Sequence, residues 1–273
     1  MGKTSLLKKI FVNRDDWSTE PVERASYYSY FAGQNMIYTL VTTILTTALL
    51  FQGIDVAKAA GITLLIKIWD AVNDAIFGCI FDKIRFKSGK KFMPWLKISL
   101  IAIPVSTVLL FSMPKDGSEA FKLAWYAITY ILWDTAYTLC DVPIYGMVTA
   151  MTERLDERTA LQSYKSIWGG AGSGLSTILA TILAGEGIGF SYSTVSIIIS
   201  VVALITMVFI CKNGVERCVG EQDESFTVKK MFKYLFSNKN LLIYYAGVFF
   251  YSGANIAGQM TLIVAFYLFK SSQ

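Results

Sequence analysis

The sequence predicts an all-α integral membrane protein that threads the bilayer several times. Three observations predict it. Of 273 residues, 54% are hydrophobic and only 16% charged, against about 25% charged in ordinary soluble domains; the mean hydropathy is +0.47. The apolar residues fall in stretches of roughly 20 or more, the length at which a helix spans a bilayer. Each stretch is too long for a barrel strand of about 10 residues, and their number is odd.

In order, the spans are expected at Ala25–Phe51, Val56–Phe81, Pro94–Met113, Phe121–Met151, Leu161–Ala184, Phe190–Cys211 and Leu241–Phe269. Residues 1–24 then form a cytoplasmic N-terminal segment and 25–211 a six-helix transmembrane bundle. Residues 212–240 form a cytoplasmic linker, and 241–273 carry the first helix of an incomplete C-terminal bundle, a seventh transmembrane helix. Lysine and arginine orient them. Twenty of the 25 basic residues fall before the first span, in the connections after the second, fourth and sixth, or, as Lys97 and Lys165, in the first five residues of the span that follows. The opposite loops hold only Lys58, Lys115 and Lys122. Positive-inside bias puts the N-terminus in the cytoplasm of a cell whose inner membrane holds the chain. The net charge of +5 is therefore a topology signal, and no nucleic-acid partner is expected.

Met1–Asn13 is too short and interrupted for the apolar core of a cleavable signal peptide, so the first span is the expected insertion signal. Cys79, Cys140, Cys211 and Cys218 show no paired-ligand spacing and read as packing residues. Gly2-Lys3-Thr4-Ser5 lacks the upstream glycine and strand of a phosphate loop. Gly169-Gly170-Ala171-Gly172-Ser173-Gly174 fits no dinucleotide register and reads as close helix packing. The chain has no histidine, which removes His-based triads, relays and most zinc sites, and no enzyme is expected.

In the linker, Val228, Met231, Phe232, Leu235 and Phe236 recur at helical spacing between Lys229, Lys230, Lys233 and Lys239. The pattern is an amphipathic helix, either lying on the inner leaflet or serving as a plain structural linker. Six spans, such a linker and another span is the layout of a carrier built from two six-helix halves.

The acids carry the chemistry. Asp70 and Asp74 lie four apart on one face of the second span, with Asn73 between them. Each ionised Asp at mid-membrane costs roughly 2.5–3.5 kcal/mol on insertion scales. Two carboxylates so close cannot both stay charged and dry, so one holds a proton or a cation sits between them. Lys67, three before Asp70, offers the plainer alternative of a salt bridge. In the fourth span Asp134 and Asp141 lie two turns apart, beside Trp133, Tyr137 and Tyr145. A polar cavity with flat apolar walls is what sugar rings bind, and Pro143 is expected to break the helix locally. Gln34 and Asn35 add uncharged hydrogen-bonding groups in the first span.

The run Trp69-Asp70-Ala71-Val72-Asn73-Asp74, followed by Gly78-x3-Asp82-x2-Arg85-x3-Gly89-Lys90-Lys91-Phe92-x-Pro94-Trp95, closely resembles the glycoside–pentoside–hexuronide:cation symporters. These form a family of the major facilitator superfamily that includes melibiose permease. Gly33–Tyr38, Tyr130–Trp133 with Asp141-Val142-Pro143, and Met151-Thr152-Glu153 with Arg158-Thr159 resemble it as well. The resemblance runs from about Arg24 into the seventh span. It implies a major facilitator-like six-helix bundle and a monovalent-cation site from Asp70, Asn73, Asp74 and Thr138. It implies a sugar or glycoside site from Asn35, Trp133, Tyr137, Asp141, Tyr145 and Lys165. Lys165 stands where the family pattern has an arginine, and Asn35 where it has an aspartate. Gly78, Asp82 and Arg85 would belong to a cytoplasmic gate. The implied activity is cation-coupled symport by alternating access, with Na⁺, Li⁺ or H⁺ as coupling ion and no other cofactor. The family has twelve spans, so the chain reads as a fragment or a prematurely terminated product. A non-transporting remnant or regulatory subunit, and a related carrier of a non-sugar substrate, are the alternatives. An intramembrane aspartyl protease is set aside because its Y-D and G-x-G-D motifs are missing.

Overall fold

A computed structural model describes residues 17–84, 86–218 and 228–251, and all regular secondary structure among them is helical. The chain divides at residues 219/220 into two compact units. The first holds six long helices: α1 (Pro21–Phe51), α2 (Val56–Lys83), α3 (Met93–Phe111), α4 (Glu119–Met151), α5 (Leu155–Ala184) and α6 (Tyr192–Asn213). The second holds α7 (Val228–Ser237) and a helix over 239–251, where the Leu241 N–H donates to the Asn238 side chain at 3.2 Å. The rest of the expected seventh span, 252–269, lies outside the described residues. So do the side chains of Val228, Met231 and Phe232 on which the amphipathic pattern rests, and Gly2–Ser5.

Local chemistry starts these helices where polar residues end the apolar runs. Pro21 opens α1, with Glu20 and Glu23 forming a reciprocal capping box. Asp55, Ser118 and Ser191 accept backbone N–H bonds at the starts of α2, α4 and α6. α3, α5, α6 and the whole of α1 are long and apolar enough to cross a membrane. α2 is as long, but Lys67, Asp70 and Asp74 interrupt its run; α4 is diluted by Asp134, Asp141 and its Thr and Tyr residues. α5 begins at Leu155, six residues before the expected Leu161, because Arg154 and Thr152 turn the chain there and Glu157 is buried by hydrogen bonds. Two further differences concern helix continuity. α1 widens into a π-helical segment at Leu40–Ile44, and α4 runs unbroken through Pro143. The second is a correction: the proline removes one backbone donor, but it is buried in the bundle and the helix continues past it.

The packing reveals chain direction without reference to a membrane. α1 packs on α5 and α6, α3 on α4 and α6, and α2 on α4. Along α2 and α4 the partners keep a nearly constant separation in sequence: Thr63 with Tyr126, Asn73 and Asp74 with Thr138. The two helices are therefore parallel. α1 and α5 are parallel too, with Tyr28 against Tyr164 and Met36 accepting from Ser176. α1 and α6 run antiparallel, since Ser29 bonds the Thr206 carbonyl while Ser26, earlier, bonds the later Asn213. Parallel odd-with-odd and even-with-even pairs are what up-and-down threading requires.

Close approach sets the α1–α5–α6 triplet. A Cβ at Gly172 would collide with the Ala32 carbonyl, and one at Gly33 with Thr206 and the Ala203 carbonyl. Within the glycine run of α5, Gly169 and Gly172 thus form a packing surface against α1, while Gly170 and Gly174 face open space.

Candidate functional site

α2 and α4 bring the expected cation residues together. Asn73 is 1% exposed and donates to Thr138 Oγ1 at 2.9 Å. The Thr138 hydroxyl in turn reaches Asp74 Oδ1 at 3.1 Å and the Asp134 carbonyl at 3.2 Å, with one proton to share. Asp74 itself is exposed. Asp70 takes a different partner, the Lys67 ammonium at 3.1 Å. Asp74 thus accepts from the Thr138 hydroxyl, while Asp70 is ion-paired with Lys67. Among the described residues no three His, Cys, Asp or Glu side chains converge as metal ligands.

One turn and more toward the other end of α4 lies a second polar group. Asp141 Oδ1 accepts from Gln34 Nε2 at 2.7 Å. Lys165 lies in the field of Asp141, its ammonium 3.5 Å from the centre of the Tyr145 ring and 4.7 Å from that of Phe31. Phe31 and Tyr145 meet edge to face at 5.5 Å, so α1, α4 and α5 together hold the cation over two aromatic faces. Tyr145 is 48% exposed. Asn35 donates to the Phe31 carbonyl of its own helix at 2.9 Å and lies beside Gly169.

Trp133 is placed behind this surface. It is 2% exposed, its indole N–H donates to Thr107 of α3 at 3.0 Å, and it stacks on Tyr137 at 5.0 Å. Tyr126, Tyr130, Trp133 and Tyr137 form a continuous aromatic ladder up α4, ending against Tyr38 of α1 at 5.4 Å.

Of the gate residues, Gly78 lies in α2 with open space around it; Arg85 and the side chain of Asp82 lie outside the described residues. At that end of the bundle another set of contacts, unforeseen from sequence, ties the helices together. Glu216 accepts the N–H groups of Lys91, Phe92 and Met93 at 2.6, 3.2 and 2.7 Å, capping α3 from the far side of α6. Arg217 forks onto Glu23 at 2.6 and 2.7 Å, which raises its pKa further, and its N–H bonds the Ala150 carbonyl at 2.8 Å. Glu157, fully buried, accepts from Ser18 at 2.8 Å, from Thr152 at 2.7 Å and from the Thr19 hydroxyl. Glu157 sits inside the Met151–Thr159 stretch, a signal that was available; Glu216 has only an isolated acid in a basic linker to mark it.

Known proteins share this chain. It is 29% identical over 223 residues to the uncharacterized symporter YjmB of Bacillus subtilis (strain 168), covering 79% of the chain and 48% of that protein. It is 28% identical over 273 residues to the isoprimeverose transporter of Lactiplantibacillus pentosus, covering 96% and 54%. The lactose permease of Lactobacillus helveticus is 26% identical over 283 residues, covering 91% and 42%. The chain spans about half the length of the curated relatives it matches. Six packed, membrane-length helices, the Trp69–Asp74 motif on α2 and a match to the family's model over residues 26–271 agree: this multi-pass membrane protein belongs to the MFS/sugar transport protein family, alongside the glycoside–pentoside–hexuronide:cation symporters.

Proposed function

We propose that the chain forms the first bundle and linker of a cation-coupled sugar or glycoside symporter, a transporter and not an enzyme. In this reading it sits in the inner membrane with its N-terminus in the cytoplasm. The basic residues and the Glu23, Glu157 and Glu216 contacts then lie at the cytoplasmic end. The observation that carries the reading is the shared use of α4. Thr138 joins it to the α2 acids, and three residues further on Asp141 joins it to Gln34, with Lys165 within its electrostatic field. A monovalent cation (Na⁺, Li⁺ or H⁺) would be held by Asp70, Asn73, Asp74 and Thr138. A glycoside would meet Asp141, Lys165 and Asn35, with Tyr145 and Tyr137 as ring platforms and Trp133 supporting Tyr137. Gly78, Asp82 and Arg85 would act at the cytoplasmic gate. Shared electrostatics across one helix turn would couple the two loads, and alternating access would follow from rocking of two bundles.

The test is a panel of radiolabelled glycosides in proteoliposomes made with the full-length gene product, both bundles present, with Na⁺, Li⁺ or a pH gradient imposed. Uptake stimulated by one of these ions is expected. Sugar uptake indifferent to all of them would reject coupling. Ion-dependent sugar binding without any counterflow would favour the second reading, a non-transporting remnant or regulatory subunit.

A further inference from the structure

The buried acid that the proposed function leaves unused is Asp134. The constant register of α2 on α4 places it opposite Asp70, on the rung one turn before Asp74 and Thr138. It is 4% exposed, its Oδ2 has no hydrogen-bond donor among the described residues, and its carboxyl meets that of Asp70. Its charged neighbours are Asp70, Lys67 and Asp74. A buried carboxylate oxygen without a partner is costly, and such groups persist where a partner arrives in another state. One flexible ammonium is within reach: Lys67, now 3.1 Å from Asp70 and half exposed. The lysine stem has four rotatable carbons, so its ammonium can move between neighbouring acids without the helix moving.

We propose that Lys67 is a tethered internal cation with two seats, Asp70 and Asp134. When the coupling ion binds at Asp70 and Asp74, Lys67 gives up Asp70 and docks on the free Asp134 oxygen; when the ion leaves, Lys67 returns. This rests on the reading of the α2 acids as the cation site. Asp134 is then a positioning residue, acting on ion affinity through Lys67 without touching the ion. It explains why an ion-paired Asp70 can still belong to an ion site, because the pair is exchanged for a second one and the lysine charge never goes unpaired.

The test is Na⁺ and Li⁺ binding to the purified 273-residue chain in nanodiscs, by calorimetric titration against choline. Asp134→Asn is expected to weaken ion binding at least about tenfold, because Lys67 has nowhere else to go. In a Lys67→Met background the same Asp134→Asn change is expected to shift affinity by less than about twofold. Asp134→Glu, which keeps the charge, is expected to bind within about threefold of the parent and serves as the folding control. An equal loss from Asp134→Asn in both backgrounds would overturn the proposal, since Asp134 would then attract or ligate the ion directly. So would no loss in either. Absence of ion binding by the parent chain would instead remove the cation site itself, and the Lys67 exchange with it.

Discussion

At the residue scale, Asn73, Asp74 and Thr138 form one hydrogen-bonded chain in which each member has a separable role. Asn73→Ala is expected to change which of Na⁺ and Li⁺ binds better, since it alters a neutral ligand and leaves the charge. Titrating both ions would check it, and an unchanged ratio would take Asn73 out of the site. Asp141 and Trp133 make a second contrast. Asp141→Asn is expected to weaken glycoside binding by about 1.5–3 kcal/mol, the value of a charged hydrogen bond, while sparing ion affinity. Trp133→Phe loses the bond to Thr107 and is expected to cost about 1 kcal/mol of stability. Its effect on sugar affinity should be smaller than that of Tyr145→Ala, because Tyr145 is the exposed ring and Trp133 the buried one. Sugar affinity lost more in Trp133→Phe would place the ring platform deeper.

At the element scale, glycine spacing and a borrowed cap decide how the helices seat. Gly172 lies against the Ala32 carbonyl, whereas Gly170, two residues earlier, has open space around it. Gly172→Val is expected to destabilise by about 1–3 kcal/mol or more through overpacking against backbone. Gly170→Ala should be neutral or stabilising by up to about 1 kcal/mol, from helix propensity alone. Thermal unfolding of the two variants in detergent reads the difference, and similar melting points would refute the packing role. α3 lacks a side-chain cap of its own and depends on Glu216. Glu216→Ala should therefore cost about 0.5–2 kcal/mol, the usual range for losing an N-cap. Protection of the Lys91–Met93 amides in hydrogen exchange would fall with it; unchanged protection would mean that the cap contributes nothing.

At the scale of the whole molecule, the first six helices form one unit with parallel α1/α5 and α2/α4 pairs, one end of it tied by Glu23, Glu157, Glu216 and Arg217. Alternating access needs a second bundle to rock against. The 273-residue chain in liposomes is accordingly expected to bind ion and glycoside but show no sugar counterflow. Robust counterflow would mean that this chain, alone or self-associated, supplies both walls of a cavity.

How much of this was legible in the sequence follows from the range of the interactions involved. Helix number, helix limits and the alternation of loops depend on local composition: runs of about 20 apolar residues, basic connections, and Pro, Ser or Asp at the starts. Six expected spans accordingly match six helices to within a few residues, apart from the early start of α5. The acids were legible for the same reason, since a charge in an apolar run is conspicuous wherever the run ends up. The chain by itself therefore determined an all-α, multi-pass protein of a recognisable family and the residue types at its centre. The tertiary structure alone decided who pairs with whom. Register between α2 and α4, unreadable from either helix, put Asn73 on Thr138 and set Asp134 beside Asp70, leaving Lys67 between two acids. Burial turned Trp133 from a candidate wall into a support for Tyr137, and a segment beyond α6 supplied the cap of α3. The α2–α4 pair and the cap join residues 65 and 125 positions apart, and side-chain direction after packing, not sequence spacing, fixes them.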